Sequence, residues 1–161
     1  MVMTEVALAT PADEDALWGM LLELHEENGL FAVNEEKVRA AIRIATEQRG
    51  GLIGVVRGAD GLESSMCLVI DQYWYTDDWC LLEQWLFVRK PFRHKRPRQA
   101  QMLIGWAKYS ATQLGLKLQA GIMSTERTAA KEAMYQRQMT PIGGLFMFDP
   151  KTPSTQTGTK H

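Results

Sequence analysis

The sequence predicts an α/β (α+β) domain, in which one mixed sheet carries helices on both faces. Three observations support this class. Strand-like apolar runs cluster between residues 52 and 89, amphipathic helical patterns lie before and after them, and 161 residues are enough to bury a core. The predicted element order is β-α-α-β-β-β-α-β-α-β. We expect a single domain over residues 1–149 and a flexible tail, rich in Thr, Ser, Lys, Gly and Pro, over residues 150–161.

The first third of the chain predicts a strand and two helices. Residues 4–9 are a short apolar strand, and Thr10-Pro11 opens a helix, since Thr is a good cap and Pro suits the first helical position. Asn28-Gly29 ends this helix, and a second one runs over about 35–47. The expected inner faces are Leu17, Met20, Leu21 and Leu24 on the first helix, and Val38, Ala41, Ile42 and Ala45 on the second.

Three strands follow, over residues 52–57, 65–75 and 79–89, with hairpin turns at Asp60-Gly61 and Thr76-Asp77. The run 80–88 is apolar at both alternations, which indicates a strand covered on both faces. A helix over 97–114, a strand over 117–122, a helix over 125–139 and a last strand at 145–148 complete the chain. The buried stripe of the helix over 97–114 is predicted to be Ala100, Leu103, Ile104, Ala107, Ala111 and Leu114.

Positive charge is concentrated in one loop. Residues 89–98 hold six Lys or Arg and no acid, whereas the chain as a whole has a net charge of −1, so the remainder sums to −7. A local positive field favours a small polyanion over a whole-surface nucleic-acid binder. No apolar run is long enough to span a bilayer and no secretory signal is visible, so we expect a cytoplasmic protein that does not bind membranes.

The position of this loop suggests what it binds. It follows an apolar strand and precedes a helix, so free backbone N–H groups and the positive end of the helix dipole point toward an incoming anion. Glu83 lies on the same strand. An anion site beside a carboxylate suggests an enzyme that uses a phosphate-bearing cofactor. The alternative is a basic patch that binds nucleic acid or acidic partners, and the flanking strand and helix favour the cofactor.

The element order and this loop resemble the GCN5-related N-acetyltransferase (GNAT) superfamily over residues 4–148. The family's loop pattern V-x-P-x-Y-R-G-x-G-x-G/A is matched by Val88, Phe92 and Arg93. The chain departs from it at Lys90, which replaces proline, and at His94, Arg96 and Arg98, which replace glycines. The family's last-helix pattern N-x-x-A-x-x-L-Y is met by Met134 and Tyr135, with Thr128 replacing Asn and Lys131 replacing Ala.

This resemblance implies transfer of an acetyl group from acetyl-CoA to a primary amine by direct attack in a ternary complex. The acceptor would be a small molecule or a peptide. The resemblance and the loop together give the expected cofactor-binding residues: Phe87, Val88, Arg93, His94, Lys95, Arg96, Arg98, Gln99 and Thr128. The rival hypothesis is a module of the same fold that binds CoA or another polyanion without turnover.

Glu83 is the expected base, because an amine of pKa about 10.4 must lose a proton before attack. Its expected same-side neighbours Leu81, Trp85 and Phe87 are apolar, so desolvation would raise its pKa; the alternative is a structural Glu paired with a basic residue. Tyr135 is the expected acid for the leaving thiolate, or else a helix residue half-buried against the core.

Other residues leave alternatives open. Glu23, Glu26 and Glu27 would favour a cationic acceptor, but a solvated helix face explains them equally well. The hairpin aromatics could line an acceptor pocket, form a homodimer surface or be ordinary sheet packing: Tyr73, Trp74, Tyr75, Trp79 and Trp85. Cys67 and Cys80 are not expected to face each other and suggest buried reduced thiols. The three histidines are too scattered for a metal site.

Overall fold

A computed structural model describes residues 5–95, 98–123 and 127–151. It contains five strands and five helices in the order β-α-α-β-β-β-α-α-β-α, and a single 3-10 turn at Pro11–Asp13 precedes the first helix. The strands are β1 (Val6–Leu8), β2 (Gly51–Gly58), β3 (Gly61–Gln72), β4 (Trp79–Val88) and β5 (Lys117–Gln119). The helices are α1 (Glu14–Asn28), α2 (Glu35–Thr46), α3 (Lys90–Arg93), α4 (Gln99–Leu114) and α5 (Thr128–Gln136).

The strands form one mixed sheet in the order β1-β2-β3-β4-β5. The first four are antiparallel neighbours, joined by hairpins between β2 and β3 and between β3 and β4. β5 is parallel to β4, because α4 carries the chain back across the sheet before β5 begins. α4 ends where Gly115 adopts a left-handed conformation (φ 66°), as the Leu-Gly sequence predicts.

Each face of the sheet has its own hydrophobic cluster. Leu17 and Met20 of α1 and Ile42 and Ala45 of α2 cover one face, together with Cys67 of β3. The other face packs under α4, through Leu103, Ala107 and Ala111. The prediction of helices on both faces is therefore confirmed. Ala41 and Leu114, expected to be inside, are exposed, because each lies at the margin of its helix's buried stripe.

The predicted start of the first helix is also confirmed. The Thr10 N–H donates to Asp13 Oδ2 at 2.8 Å, which closes the turn that Pro11 begins. Asp13 is buried and accepts two hydrogen bonds of 2.7 Å from the Arg57 guanidinium. These bonds hold the pKa of Asp13 below its usual value and tie the start of α1 to β2.

The C-terminal part of the chain differs from the prediction. Residues 145–148 form no strand, and Leu145, Phe146 and Phe148 are at least 74% exposed, since no described neighbour pairs with their backbone. The last helix begins at Thr128 instead of residue 125, which lies outside the described residues. Residues 152–161, which form most of the predicted tail, also lie outside the described residues. Among the described helices, none is both long and apolar enough to cross a bilayer.

Candidate active site

A β-bulge in the middle of β4 shapes the site. Cys67 of β3 pairs with Trp85, but the next residue, Leu68, pairs with Glu83, so Gln84 is an extra residue without a partner in the ladder. An extra residue reverses which face the later side chains occupy. Leu81 accordingly packs in the cluster under α4, whereas Trp85 and Phe87 pack under α1. The expectation that Leu81, Trp85 and Phe87 share one side is therefore wrong.

β4 and β5 separate beside this bulge. Their pairing ends at Leu82 and Gln119, and two residues later the Gly121 N–H donates to a side chain, Glu83 Oε2, at 3.0 Å. A cavity of about 860 Å³ occupies the gap between the strands. It reaches from Ala100 at the start of α4 to the loop between α1 and α2, so it connects the predicted anion site with Glu83.

Glu83 is partly buried in the wall of this cavity. Its Oε2 accepts two hydrogen bonds of 3.0 Å, from the Gly121 N–H and from the Tyr135 hydroxyl. Desolvation raises the pKa of Glu83 to about 7, although these two hydrogen bonds pull it down. No described donor binds Oε1, which is left as the oxygen able to take a proton near neutral pH.

Tyr135 reaches Glu83 from α5. Burial raises the pKa of the phenol well above its usual value, and the nearby Glu83 carboxylate raises it further. The hydroxyl therefore keeps its proton over the whole working pH range. The two residues predicted to be base and acid lie in direct contact, although 52 positions separate them in the chain.

Two arginines of the basic loop are tied to α1. Arg89 donates to both carboxylate oxygens of Glu23 at 2.8–3.0 Å. Arg93 donates to both oxygens of Glu27 at 2.8 Å and to the Val88 carbonyl at 2.8 Å. The loop has no acid of its own, but α1 supplies two. Arg93 lines the cavity, yet its guanidinium already holds the strand, the loop and α1 together.

The remaining cofactor candidates occupy three kinds of position. Phe87 and Val88 line the cavity. His94, Lys95, Arg98 and Thr128 are exposed, and Arg98 is the N-cap of α4, where it makes no side-chain capping bond. The side chain of Gln99 is buried and donates to Glu63. Arg96 lies outside the described residues.

The loop between α1 and α2 supplies cavity residues that the sequence analysis did not select. Phe31, Val33, Asn34 and Lys37 line this end, with Tyr73 from the β3–β4 hairpin. The Asn34 side chain caps α2 by accepting from the Lys37 N–H at 2.9 Å. The N-cap pattern Asn-Glu-Glu-Lys was a signal for the start of this helix. Nothing in the sequence showed that the helix start would face Glu83.

Lys131 explains one departure from the resemblance. Its Nζ donates to Asn28 Oδ1 at 3.3 Å, which joins α5 to the last residue of α1 beside the cavity. An alanine at this position could not form that hydrogen bond. Thr128 and Met134 lie on the same helix, and Met134 also lines the cavity.

The part of the chain that the structure describes contains no cluster of metal-binding side chains, and its two cysteines are free thiols. No group of three or more His, Cys, Asp or Glu side chains is arranged there to hold a metal ion. Cys67 and Cys80 are free, and their ladder partners are Trp85 and Asp71, so they do not face each other. Burial raises the pKa of the Cys67 thiol to about 12, which keeps it protonated and unreactive.

Comparison with solved structures identifies the fold. A protein from Clostridium difficile 630 described as a possible acetyltransferase superposes with a TM-score of 0.69 and 13% identity, covering 91% of this chain and 97% of its own. AAC(6')-Iy, solved with the bisubstrate analogue CoA-S-monomethyl-acetylneamine, gives 0.67 and 12%, covering 93% and 99%. The ribosomal-protein-alanine N-acetyltransferase of Brucella melitensis biovar Abortus 2308 gives 0.67 and 12%, covering 91% and 100%. The chain has the GNAT fold.

The GNAT fold is recognised here from structure alone, since no family model and no curated protein matches the sequence. The predicted fold class is confirmed by these neighbours, which are acetyltransferases and cover more than nine-tenths of the chain. At 12–13% identity they establish the architecture. The assignment of roles to Glu83, Tyr135 and the loop depends on the geometry of this chain.

Proposed function

We propose that this protein transfers an acetyl group from acetyl-CoA to a primary amine. One observation carries the proposal: a carboxylate with a pKa of about 7 and a protonated phenol lie in contact, in the wall of a cavity that begins at the start of α4. Acetyl transfer needs a base for the amine and a proton for the leaving thiolate. Both groups are present at one point of the GNAT fold.

The cosubstrate would enter from the α4 side. Its pyrophosphate suits the first turn of α4, whose N–H groups have no helical partner, and the exposed cations Lys95 and Arg98 add positive charge there. Phe87 and Val88 line the way from this turn toward Glu83, between the separated strands. Arg89 and Arg93 act in this proposal as supports of the loop, because α1 carboxylates already neutralise them.

The proton transfers follow from the contact between Glu83 and Tyr135. Glu83 Oε1 first takes the extra proton of the ammonium group and passes it to water. The neutral amine nitrogen then attacks the thioester carbonyl carbon, its N–H proton passes to Glu83 Oε1, and the carbon–sulfur bond breaks. A protonated carboxyl accepts hydrogen bonds less strongly than a carboxylate. The Tyr135 hydroxyl is then released from Glu83 and can give its proton to the thiolate. The products are the amide and CoA thiol, and the proton on Glu83 returns to Tyr135, which restores both groups.

Amine-dependent release of CoA thiol tests this proposal. The assay supplies acetyl-CoA and a panel of primary amines to the wild type, to Glu83→Gln and to Glu26→Gln, the last an exposed α1 residue outside the cavity. We expect Glu83→Gln to lower turnover by roughly 10²–10⁴ with cosubstrate affinity little changed, and Glu26→Gln to have no effect. Equal turnover by both variants would show that Glu83 is not the base.

A further inference from the structure

We propose that the acceptor amine also carries an anionic group, on an apolar body, in the manner of an apolar amino acid. The inference rests on the proposed function and concerns the end of the cavity lined by Leu30–Asn34, Lys37, Val38 and Tyr73, here called the acceptor end. Three properties support it: the α1 carboxylates nearest the cavity are paired with arginines, Lys37 has no described carboxylate within 4 Å, and the walls are largely apolar.

The acidic residues of α1 do not attract a polycation. Glu23 and Glu27 are bound by Arg89 and Arg93, each through both carboxylate oxygens. Glu26 is exposed and does not line the cavity. Glu83 is the remaining carboxylate of the cavity wall among the described residues, and it is the proposed base. An acceptor with several positive charges would therefore meet a single acidic group.

The acceptor end contains a lysine that forms no described ion pair. Lys37 lies in the first turn of α2, and no described carboxylate comes within 4 Å of its Nζ. A lysine in this position suits a carboxylate placed beyond the amine.

The walls of the acceptor end suit an apolar body. Phe31 and Val33 of the α1–α2 loop are 64% and 39% exposed, and Tyr73 of the hairpin faces the same space. Trp85 closes the wall beside Glu83, with its indole N–H satisfied by Ser65. When an apolar ligand covers apolar side chains that are exposed around a cavity, the loss of apolar surface from water favours binding. The predicted acceptor is thus a molecule that carries an amine, a nearby anionic group and an apolar or aromatic side group, as an apolar amino acid does.

A matched pair of acceptors tests this inference. Phenylalanine and phenylalaninamide share the amine and the ring, but only phenylalanine carries the anion. We would measure kcat/KM for both with the wild type, Lys37→Gln and the control Lys117→Gln, an exposed lysine outside the cavity. The ratio of the two substrates, compared between variants, cancels their different amine basicities.

We expect Lys37→Gln to lower the phenylalanine-to-phenylalaninamide ratio about two- to fivefold, the size expected for one exposed charge pair. Lys117→Gln should leave the ratio unchanged, and acetyl-CoA affinity should be the same in all three proteins. An unchanged ratio in Lys37→Gln would overturn the inference. So would a higher kcat/KM for spermidine or an aminoglycoside than for phenylalanine in the wild type.

Calorimetry separates this inference from the proposed function. Phenylalanine is titrated into each protein saturated with CoA, which forms a complex that cannot react. If no amine releases thiol, the proposed function fails, and the inference is decided by whether Lys37→Gln weakens phenylalanine binding relative to phenylalaninamide. If spermidine is the best substrate and phenylalanine does not bind, the proposed function stands and the inference fails.

Discussion

The Tyr135 hydroxyl donates a hydrogen bond to Glu83 Oε2 at 3.0 Å, and the same oxygen accepts a hydrogen bond from the Gly121 N–H. Both donors stabilise the carboxylate form, and they leave Oε1 for the substrate. The proposed base and the proposed acid are therefore coupled: the Glu83 carboxylate accepts the hydrogen bond of Tyr135, and that bond lowers the pKa of Glu83. Four predictions follow from this contact and from the loop beside it.

The first prediction concerns the pH profile of Tyr135→Phe. Activity requires the deprotonated Glu83, so kcat/KM of the wild type should rise with pH and level off above about 7. Removing the hydroxyl removes a hydrogen bond that lowers the pKa of Glu83, so the rise should move to higher pH. The plateau should also fall, by roughly 10² or more if Tyr135 is the acid. Tyr109→Phe, at an exposed tyrosine of α4, is the matched control.

The outcome of this profile distinguishes two roles of Tyr135. A lower plateau with a shifted rise supports an acid that also tunes the base. A shifted rise with an unchanged plateau would restrict Tyr135 to positioning Glu83. If neither the plateau nor the rise changes, the contact has no part in turnover.

A second prediction concerns how the ionisation of Glu83 changes the free energy of unfolding. Folding raises its pKa from 4.5 to about 7, so the folded state favours the protonated form. The free energy of unfolding should therefore decrease as pH rises through this window and stay reduced above it. The full cost is on the order of 3 kcal/mol. Glu83→Gln should melt above the wild type at pH 8 and close to it at pH 4.5.

Denaturant unfolding at both pH values measures this effect, with Glu26→Gln as the exposed control. A Glu83→Gln protein that is less stable than the wild type at pH 8 would mean that ionised Glu83 stabilises the fold. Glu83 would then be a structural carboxylate and not the base.

The third prediction concerns the ion pair between Arg93 and Glu27, whose side chains are only 17% and 11% exposed. Arg93→Met should lower the free energy of unfolding by about 1–3 kcal/mol, because it leaves Glu27 and the Val88 carbonyl without their donor. Glu27→Gln should cost a similar amount, and the double variant less than the sum. Arg49→Met, in an exposed pair with Glu47, should cost under about 0.5 kcal/mol. Additive losses at Arg93 and Glu27 would contradict the pairing.

The fourth prediction concerns Arg98, which stands at a glycine position of the resemblance. As the exposed N-cap of α4 it should contact a cosubstrate phosphate, so Arg98→Gly should weaken acetyl-CoA binding, by about 1.5–3 kcal/mol at low salt. The loss should shrink at high salt, because an exposed charge is screened. We expect the same of Arg96→Gly. Calorimetric titration at two salt concentrations measures both, and tighter binding by the glycine variants would mean that the arginines obstruct the site.

The sequence was sufficient to predict the sheet and the helices on its two faces. It also selected Glu83 and Tyr135 as candidates, and the structure brings these two residues into contact. Periodicity and end signals, such as Thr10-Pro11 and Gly115, are local, so they can be recognised without the fold. The strand expected at 145–148 did not form, because a strand also needs a partner, and hydrophobic sequence does not supply one.

The details that the sequence did not predict depend on contacts between distant residues. The bulge at Gln84 is a property of the β3–β4 register, and it moved Leu81 away from Trp85. Arg93 lines the cavity, but its pairing with Glu27, which lies 66 positions earlier, follows only from the packing of α1. No sequence pattern distinguished Lys37 from other surface lysines. It lines the cavity because the folded chain places the start of α2 beside β4.

The most direct test of the central claim is the melting temperature of the wild type with and without acetyl-CoA. The claim is that the cavity between β4 and β5 holds this cosubstrate. A ligand present at about 100 times its Kd adds roughly 2.7 kcal/mol to the free energy of unfolding, so acetyl-CoA should raise the melting temperature by several degrees. Duplex DNA at equal phosphate concentration should not. No shift at millimolar acetyl-CoA, with a shift caused by DNA instead, would contradict the acetyltransferase account and favour a nucleic-acid-binding loop.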